Sequence, residues 1–176
     1  MIRNAVKDDL SRILAIFASA RGFMHSHGNP TQWTDGYPDE SAVLNDIALG
    51  AAHVLYDSEG IYGAFSLFTQ PDSCYARIYG GAWPNDAPYV TIHRIASDGT
   101  HRGVVQEAVS YALSVCPHVR VDTHKNNLPM QNALQRAGFR YCGVIMLNKP
   151  NDPERMAYQR DIDSDHQQSH TTDSAV

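Results

Sequence analysis

The sequence predicts one α/β domain (α+β by some schemes), and three observations lead to this class. Apolar residues recur at helical spacing near the N-terminus, and the spacing then changes to the alternation of β-strands. Residues 89–123 follow the pattern of strand, helix and strand, which predicts a right-handed crossover between neighbouring parallel strands. The chain of 176 residues can bury a sizeable core, and no repeat or linker divides it.

The N-terminal segment predicts a short strand, a helix and a loop. Residues 1–6 can form an edge strand, and Asp8 or Asp9 can cap a helix. Apolar side chains at helical spacing predict that this helix extends to about Phe23. Residues 25–40 are rich in glycine, proline and aromatic side chains, which predicts a loop.

A second helix and a hairpin are expected next. Asp39 can cap the helix, and Gly50 can end it. Residues 53–56 and 61–69 then show strand alternation, and the turn residues 57–60 between them predict an antiparallel hairpin.

The middle of the chain predicts the crossover unit. Residues 74–79 are assigned as a further strand, and residues 80–88, with their glycines and prolines, as a loop. Residues 89–96 and 119–123 are the two parallel strands. The helix between them is marked by apolar positions at helical spacing, namely Val105, Ala108, Val109, Ala112, Leu113 and Cys116.

A short amphipathic helix with Pro129 in its first turn comes next, followed by strands over residues 139–147 and 157–160. The domain is therefore expected to occupy residues 1–160. Residues 161–176 have almost no apolar content, and we expect them to form a disordered tail.

Composition excludes several classes of function. The net charge of −5 argues against a general nucleic-acid binder, which would carry a basic excess. No signal peptide or membrane span is recognisable, and three widely spaced cysteines favour reduced thiols, so we expect a cytoplasmic protein. Among nine histidines, only His25-x-His27 and Asp122-x-His124 are tightly spaced, so no metal is expected.

Two sequence motifs are similar to those of a known family. Residues 91–105, TIHRIASDGTHRGVV, resemble the strand, turn and helix start of the GNAT N-acetyltransferase superfamily. Residues 122–139, DTHKNNLPMQNALQRAGF, resemble its second signature, in which an Asn precedes a short helix that ends in Gly-Phe. The resemblance implies a mixed, mostly antiparallel sheet of six or seven strands with a splayed parallel pair at its centre, flanked by four helices. It also implies acetyl-CoA as co-substrate.

The resemblance assigns coenzyme A binding to two segments. A helix N-terminus can hold the pyrophosphate, although only Gly103 remains of the family's glycine pattern, and it could simply be a turn residue. The strands are expected to part after Ile95. Asn127 can contact the cofactor arm, cap the helix, or do both. The cofactor-binding residues implied are Ile95, Ala96, Ser97, His101, Arg102, Gly103, Val104, Val105, Asn127 and Met130.

Candidate catalytic residues are His93 and Asp122. In some family members a histidine or an acidic residue at these positions acts as the general base, and a reference pKa near ~6.5 suits histidine for this role. His93 could instead be structural, and Asp122 could orient His124 or pair with Arg94. The family's usual general acid is a Tyr, here replaced by Leu134, so the acid is unassigned.

The loop after the first helix is expected to wall the acceptor site through Gln32, Trp33 and Tyr37, although these aromatic residues could also cap the edge of the core. No cysteine is expected near the site, which favours direct acetyl transfer to an amine of a small molecule or peptide. The alternatives are a non-catalytic acyl-CoA-binding module and a nucleotide-phosphate binder. A homodimer is compatible with the sequence.

Overall fold

Seven β-strands and four α-helices make up the part of the chain that the computed structural model describes, residues 1–162. The strands are β1 (Ile2–Asn4), β2 (Ala52–Asp57), β3 (Gly60–Phe68), β4 (Val90–Ser97), β5 (His118–Thr123), β6 (Arg140–Met146) and β7 (Glu154–Asp161). The helices are α1 (Leu10–Ser26), α2 (Glu40–Ala48), α3 (Val104–Val115) and α4 (Leu128–Arg136).

All seven strands belong to one sheet, in the order β1-β2-β3-β4-β5-β7-β6. Among these strands β4 and β5 form a parallel pair, and each of the other neighbouring pairs is antiparallel. β4 lies at the centre of the sheet, with three strands on either side. The predicted fold class, a mostly antiparallel mixed sheet with a central parallel pair and four helices, is confirmed.

β4 and β5 are paired over only part of their length. The parallel register runs from Val90 opposite Val119 to Ile92 opposite Val121, and it ends there. On its other side β4 stays paired with β3 as far as Ser97. The two parallel strands therefore part and form a fork after Ile92, three residues earlier than the expected Ile95.

A β-bulge in β4 explains the early separation. Ala96 lies opposite Ala64 and His93 opposite Ser66, so β4 has one more residue than β3 between these pairs. Arg94, in the bulge, has a φ of 54°, in the left-handed region. A bulge bends its strand and increases the local twist, which turns β4 away from β5.

Helices cover both faces of the sheet. Neighbouring residues of a strand point to opposite faces. Accordingly Val54 and Ala64 belong to the apolar cluster of α1 and α2, whereas Leu55 and Phe65 belong to the cluster of α3 and α4. The end of the sheet where β4 and β5 separate lies between these two layers of helices.

Helix caps follow the predictions in one case and differ in another. The Asp39 side chain accepts a hydrogen bond from the Ala42 N–H at 2.9 Å, so the predicted cap of α2 is confirmed. Asp9 precedes α1 but does not cap its amides. Its carboxylate accepts from the Val6 N–H and from Arg3, because the preceding residues form a short 3₁₀ turn.

One predicted strand is wrong. Residues 74–79 do not form a strand; Ser73–Tyr75 is a 3₁₀ turn, and Tyr79 makes an isolated bridge to Val144. Asp72 starts the turn by accepting from the Cys74 N–H, which competes with extended structure.

β7 begins three residues earlier and ends one residue later than the strand predicted over residues 157–160, and the Asp161 carboxylate at its end binds His118 and Arg140. The expected disordered tail otherwise concerns residues 163–176, which lie outside the described residues. Within residues 1–162 no helix has the length and apolar character that a membrane crossing requires.

Candidate active site

A cavity of about 720 Å³ opens at the fork between β4 and β5. The walls come from the end of α1 and the loop after it, the β3–β4 connection, the separated ends of β4 and β5, the starts of α3 and α4, and the β6–β7 turn. This volume is typical of a small-molecule site. Ligands in sheets of this kind bind where parallel strands separate, which is where the cavity lies.

His93 lies at the point of separation, between two carboxylates. Its Nε2 is 3.2 Å from Asp72 Oδ2, and its Nδ1 is 3.7 Å from Asp122 Oδ1. The contact with His93 is the main cause that lowers the pKa of the Asp72 carboxyl from 3.8 to about 2. The second distance is too long for a direct hydrogen bond, so both atoms can accept from a donor that lies beside them in the cavity.

A buried tyrosine holds Asp122 in place. The Tyr75 hydroxyl donates to Asp122 Oδ1 at 2.7 Å, and the Tyr75 side chain is buried beneath the cavity. Burial, and then the charge of Asp122, raise the pKa of Tyr75 well above its usual value of 10. The phenol therefore stays protonated and remains a hydrogen-bond donor.

Both alternatives considered for Asp122 are wrong. Arg94 pairs with Asp46 at 2.7 Å, and His124 Nε2 contacts Asp152 at 3.0 Å. Asp122 contributes to the wall of the cavity with a side chain that is 9% exposed, directly across from His93. The two candidate catalytic residues are therefore brought together.

The loop after α1 forms one wall, as expected. Trp33 and Tyr37 line the cavity, and Trp33 also packs edge-on against Phe17 with 5.5 Å between ring centroids. The Tyr37 hydroxyl accepts a hydrogen bond from Arg94 Nε at 2.8 Å. The carboxylate of the buried Asp46 accepts a hydrogen bond from Arg94 Nη1. The guanidinium of Arg94 is therefore fixed at both of its ends.

Gln32 and Asn127 also line the cavity, and they bind each other. Asn127 Nδ2 donates to Gln32 Oε1 at 2.9 Å, which joins the loop after α1 to the start of α4. Asn127 Oδ1 accepts from the Met130 N–H at 3.3 Å, so the cap alternative for Asn127 is confirmed. Met130 contributes to the same wall.

The other cofactor-binding residues that the resemblance implies divide into two groups. Besides Asn127 and Met130, five of them line the cavity, namely Ile95, Ala96, Ser97, Val104 and Val105. His101, Arg102 and Gly103 lie just outside the lining, in the turn before α3. Gly103 occupies the N-cap of α3 with a φ of 81°, which requires glycine. His101 is held by Asp57 at 2.9 Å and stacks on Tyr62, whereas Arg102 is exposed.

The expectation that no cysteine lies near the site is wrong. Cys74 lines the cavity two residues after Asp72, and the Asn148 N–H donates to its sulfur. Burial raises the pKa of the Cys74 thiol above its usual value of 9, and the nearby carboxylates add to the shift. The thiol is therefore protonated at neutral pH and is a poor nucleophile.

Sequence reasoning missed four residues of the candidate site. Asp72, Cys74 and Lys149 line the cavity, and Tyr75 binds the lining residue Asp122. Two of them, Cys74 and Tyr75, belong to the segment predicted as a strand. The pair Asp72-Ser73 just before that segment is a signal for a capped turn, and it could have indicated that Asp72 was fixed in place. Among residues 1–162 no group of three or more metal-ligating side chains is present.

The fold of this chain is similar to that of known proteins. No protein-family model matches the chain, and no curated protein sequence does. An acetyltransferase of the GNAT family from Streptococcus agalactiae is 30% identical, with a TM-score of 0.82 over 92% of this chain and 95% of the other. A GNAT-family acetyltransferase from Listeria monocytogenes is 20% identical, with a TM-score of 0.65 over 92% and 94%.

A phosphinothricin acetyltransferase of the GNAT superfamily from Sinorhizobium meliloti, solved in complex with AcCoA, is 16% identical, with a TM-score of 0.57 over 92% and 88%. This similarity concerns the fold alone. The first similarity extends over almost the whole length of both chains at 30% identity, and it shows that this chain belongs to the GNAT family of acetyltransferases.

Proposed function

We propose that the chain is an acetyl-CoA-dependent N-acetyltransferase that transfers the acetyl group directly to an amine of a small molecule or peptide. The observation that carries the proposal is the position of His93. It lies between Asp72 and Asp122, at the point where β4 and β5 separate, on the wall of a cavity of about 720 Å³. Amine acetylation needs a proton acceptor beside a slot for a thioester, and this arrangement supplies both.

The residues at the fork fit a coenzyme A arm. Beyond Ile92 the edge of β4 that faces β5 makes no ladder with it, so its backbone groups are available to an extended ligand. Gly99 and Val104 continue this wall towards the N-terminus of α3, where free amides favour an anion. Arg102, exposed in the same turn, can add a positive charge for the phosphates. The co-substrate supplies the acetyl thioester.

His93 is the proposed general base. Asp72 accepts from the Nε2 side of the imidazole, which directs the lone pair of Nδ1 towards Asp122. Nδ1 and Asp122 Oδ1 are 3.7 Å apart, so an ammonium group or a water molecule in the cavity can contact both atoms from the side. Nδ1 then takes the proton that the amine must lose before it attacks, and the two carboxylates stabilise the imidazolium that forms.

Direct transfer is supported by the state of Cys74. A covalent route needs a thiolate, and the raised pKa of Cys74 keeps its sulfur protonated. Leu134, at the family's usual tyrosine position, is buried in the core, so α4 supplies no acid from that position. In the overall reaction the C–N bond forms as the C–S bond breaks, and the ammonium loses two protons. One is released through His93 and the other protonates the departing thiolate, so no further reactant is needed.

The test is incubation of the protein with acetyl-CoA and a panel of amines, followed by measurement of the free thiol released. His93→Gln should lower kcat by about 10²-fold or more, as expected for loss of a general base. His25→Gln is the matched control, because His25 is exposed and lies outside this cavity. Tight binding of acetyl-CoA with no turnover of any amine would favour the non-catalytic module instead.

A further inference from the structure

The cavity wall is basic around Tyr37. The guanidinium carbon of Arg94 lies 5.6 Å from the centre of the Tyr37 ring, and Nζ of Lys149 lies 5.2 Å from it. All three residues line the cavity, and Lys149 is an exposed residue at its edge. We call Arg94, Lys149 and Tyr37 the basic rim.

Phe68 connects the basic rim to the proposed base. Its ring centroid is 5.6 Å from that of His93 and 5.9 Å from the guanidinium carbon of Arg94. One aromatic side chain therefore separates the basic rim from the pair of carboxylates at the fork. A ligand that contacts both places must extend past this ring.

The positive charges of the basic rim are not fully balanced within the described part of the chain. Asp46 neutralises Arg94 at 2.7 Å. Arg155, which also lines the cavity, is paired with Asp152 and with backbone carbonyls. For Lys149 no carboxylate lies within 4 Å among residues 1–162, so one positive charge remains at the rim.

The surroundings of Lys149 favour a visiting anion. Partial loss of water, and then the charge of Arg155, lower the pKa of its ammonium group below the usual value of 10.5, and the charges of Asp152 and Asp122 offset only part of this shift. A carboxylate held at Nζ would offset both effects. The carboxylates Asp72 and Asp122, at the other place, attract an ammonium group instead.

We propose that the acceptor is a zwitterion, an amine that also bears a carboxylate, and that Lys149 of the basic rim binds this carboxylate while the amine lies at His93. This inference rests on the proposed function and narrows its substrate class to amino acids and their carboxylate-bearing derivatives. Arg94 and Tyr37 orient the anion, and Phe68 separates the two charged ends.

The experiment compares matched acceptors with acetyl-CoA as donor. L-Amino acids are measured beside their amides, which keep the amine and lose the negative charge, and beside ω-amino acids, which place the carboxylate further away. We expect the acid of the best pair to have a kcat/KM about tenfold above its amide, mainly through KM, as expected for one charge-assisted contact. The ω-amino acids identify whether the carboxylate lies next to the amine or further along the ligand.

Lys149 variants test the assignment. Lys149→Met should reduce the acid-to-amide preference to about twofold, and Lys149→Arg should restore most of this preference. The control Lys7→Met, at an exposed site outside the cavity, should leave the preference unchanged. Thermal unfolding of each variant checks that it is folded. Amides used as well as acids, or a preference that survives Lys149→Met, would overturn the inference and leave the acetyltransferase proposal standing. No turnover of any amine would overturn both.

Discussion

Asp72→Asn should destabilise the protein in a pH-dependent way. The substitution keeps an oxygen that can accept from the Cys74 N–H and removes the charge beside His93. The native pKa of about 2, against an ordinary 3.8, corresponds to at most about 2.5 kcal/mol, at 1.36 kcal/mol for each unit. The Asp72 side chain is 29% exposed, so solvent screening reduces this to about 1 kcal/mol.

The pH dependence of this stability difference follows from the direction in which the pKa of Asp72 is shifted. The pKa of Asp72 is lower in the folded state, so its contribution is fully present above pH 3.8 and is lost as the pH falls towards 2. Urea unfolding of the wild type and the variant should therefore differ by about 1 kcal/mol at pH 6 and by about half of that at pH 3. The exposed Asp86→Asn serves as control.

The same variant has a kinetic readout. If Asp72 orients the imidazole, kcat should fall by about tenfold, with a smaller change in the KM for acetyl-CoA. A stability difference that is equal at pH 6 and pH 3 would refute the electrostatic reasoning. Unchanged kcat in a folded variant would remove Asp72 from the proposed mechanism and leave His93 with Asp122 alone.

Three further substitutions have defined outcomes. Tyr75→Phe removes the donor to Asp122, so a nearly buried carboxylate loses a hydrogen bond. The variant should lower the free energy of urea unfolding by about 2 kcal/mol and should also lower kcat. Equal stability would show that water replaces the hydroxyl. Cys74→Ser should retain most acetyl transfer, and no acetylated protein should appear on mass spectrometry in either form. Gly103→Ala should lower stability by about 1 kcal/mol, since its φ of 81° disfavours a side chain while a Cβ there meets no neighbour.

Sequence periodicity predicted most of the fold. The central strands alternate apolar residues, α3 carries a full apolar face, and the crossover between β4 and β5 has a fixed handedness. The failures lie where local hydrogen bonds compete with a weak pattern. Residues 74–79 carry only a weak strand pattern, and the Asp72 side chain accepts from the Cys74 N–H and turns the chain.

The candidate site was only partly predictable, because its members come from distant parts of the sequence. His93 and Asp122 were found through their positions in two motifs that resemble a family. Asp72 lies in a connecting segment outside both motifs, and no periodicity assigns a side chain in such a segment to a site. Lys149 belongs to the β6–β7 turn, so only the folded chain places it near Tyr37.

One local distortion, the bulge in β4, links the two halves of the site. The left-handed conformation at Arg94 bends the strand away from β5 and so widens the fork in which a thioester is proposed to bind. The guanidinium of the same residue donates hydrogen bonds to Asp46 and Tyr37, and these contacts fix the wall on the proposed acceptor side. A non-glycine residue with positive φ persists only when its surroundings hold it, and here a buried carboxylate does so. Because Arg94 shapes both sides, mutations of Asp46 should change acceptor and donor kinetics together, whereas mutations of Lys149 should change the acceptor side alone.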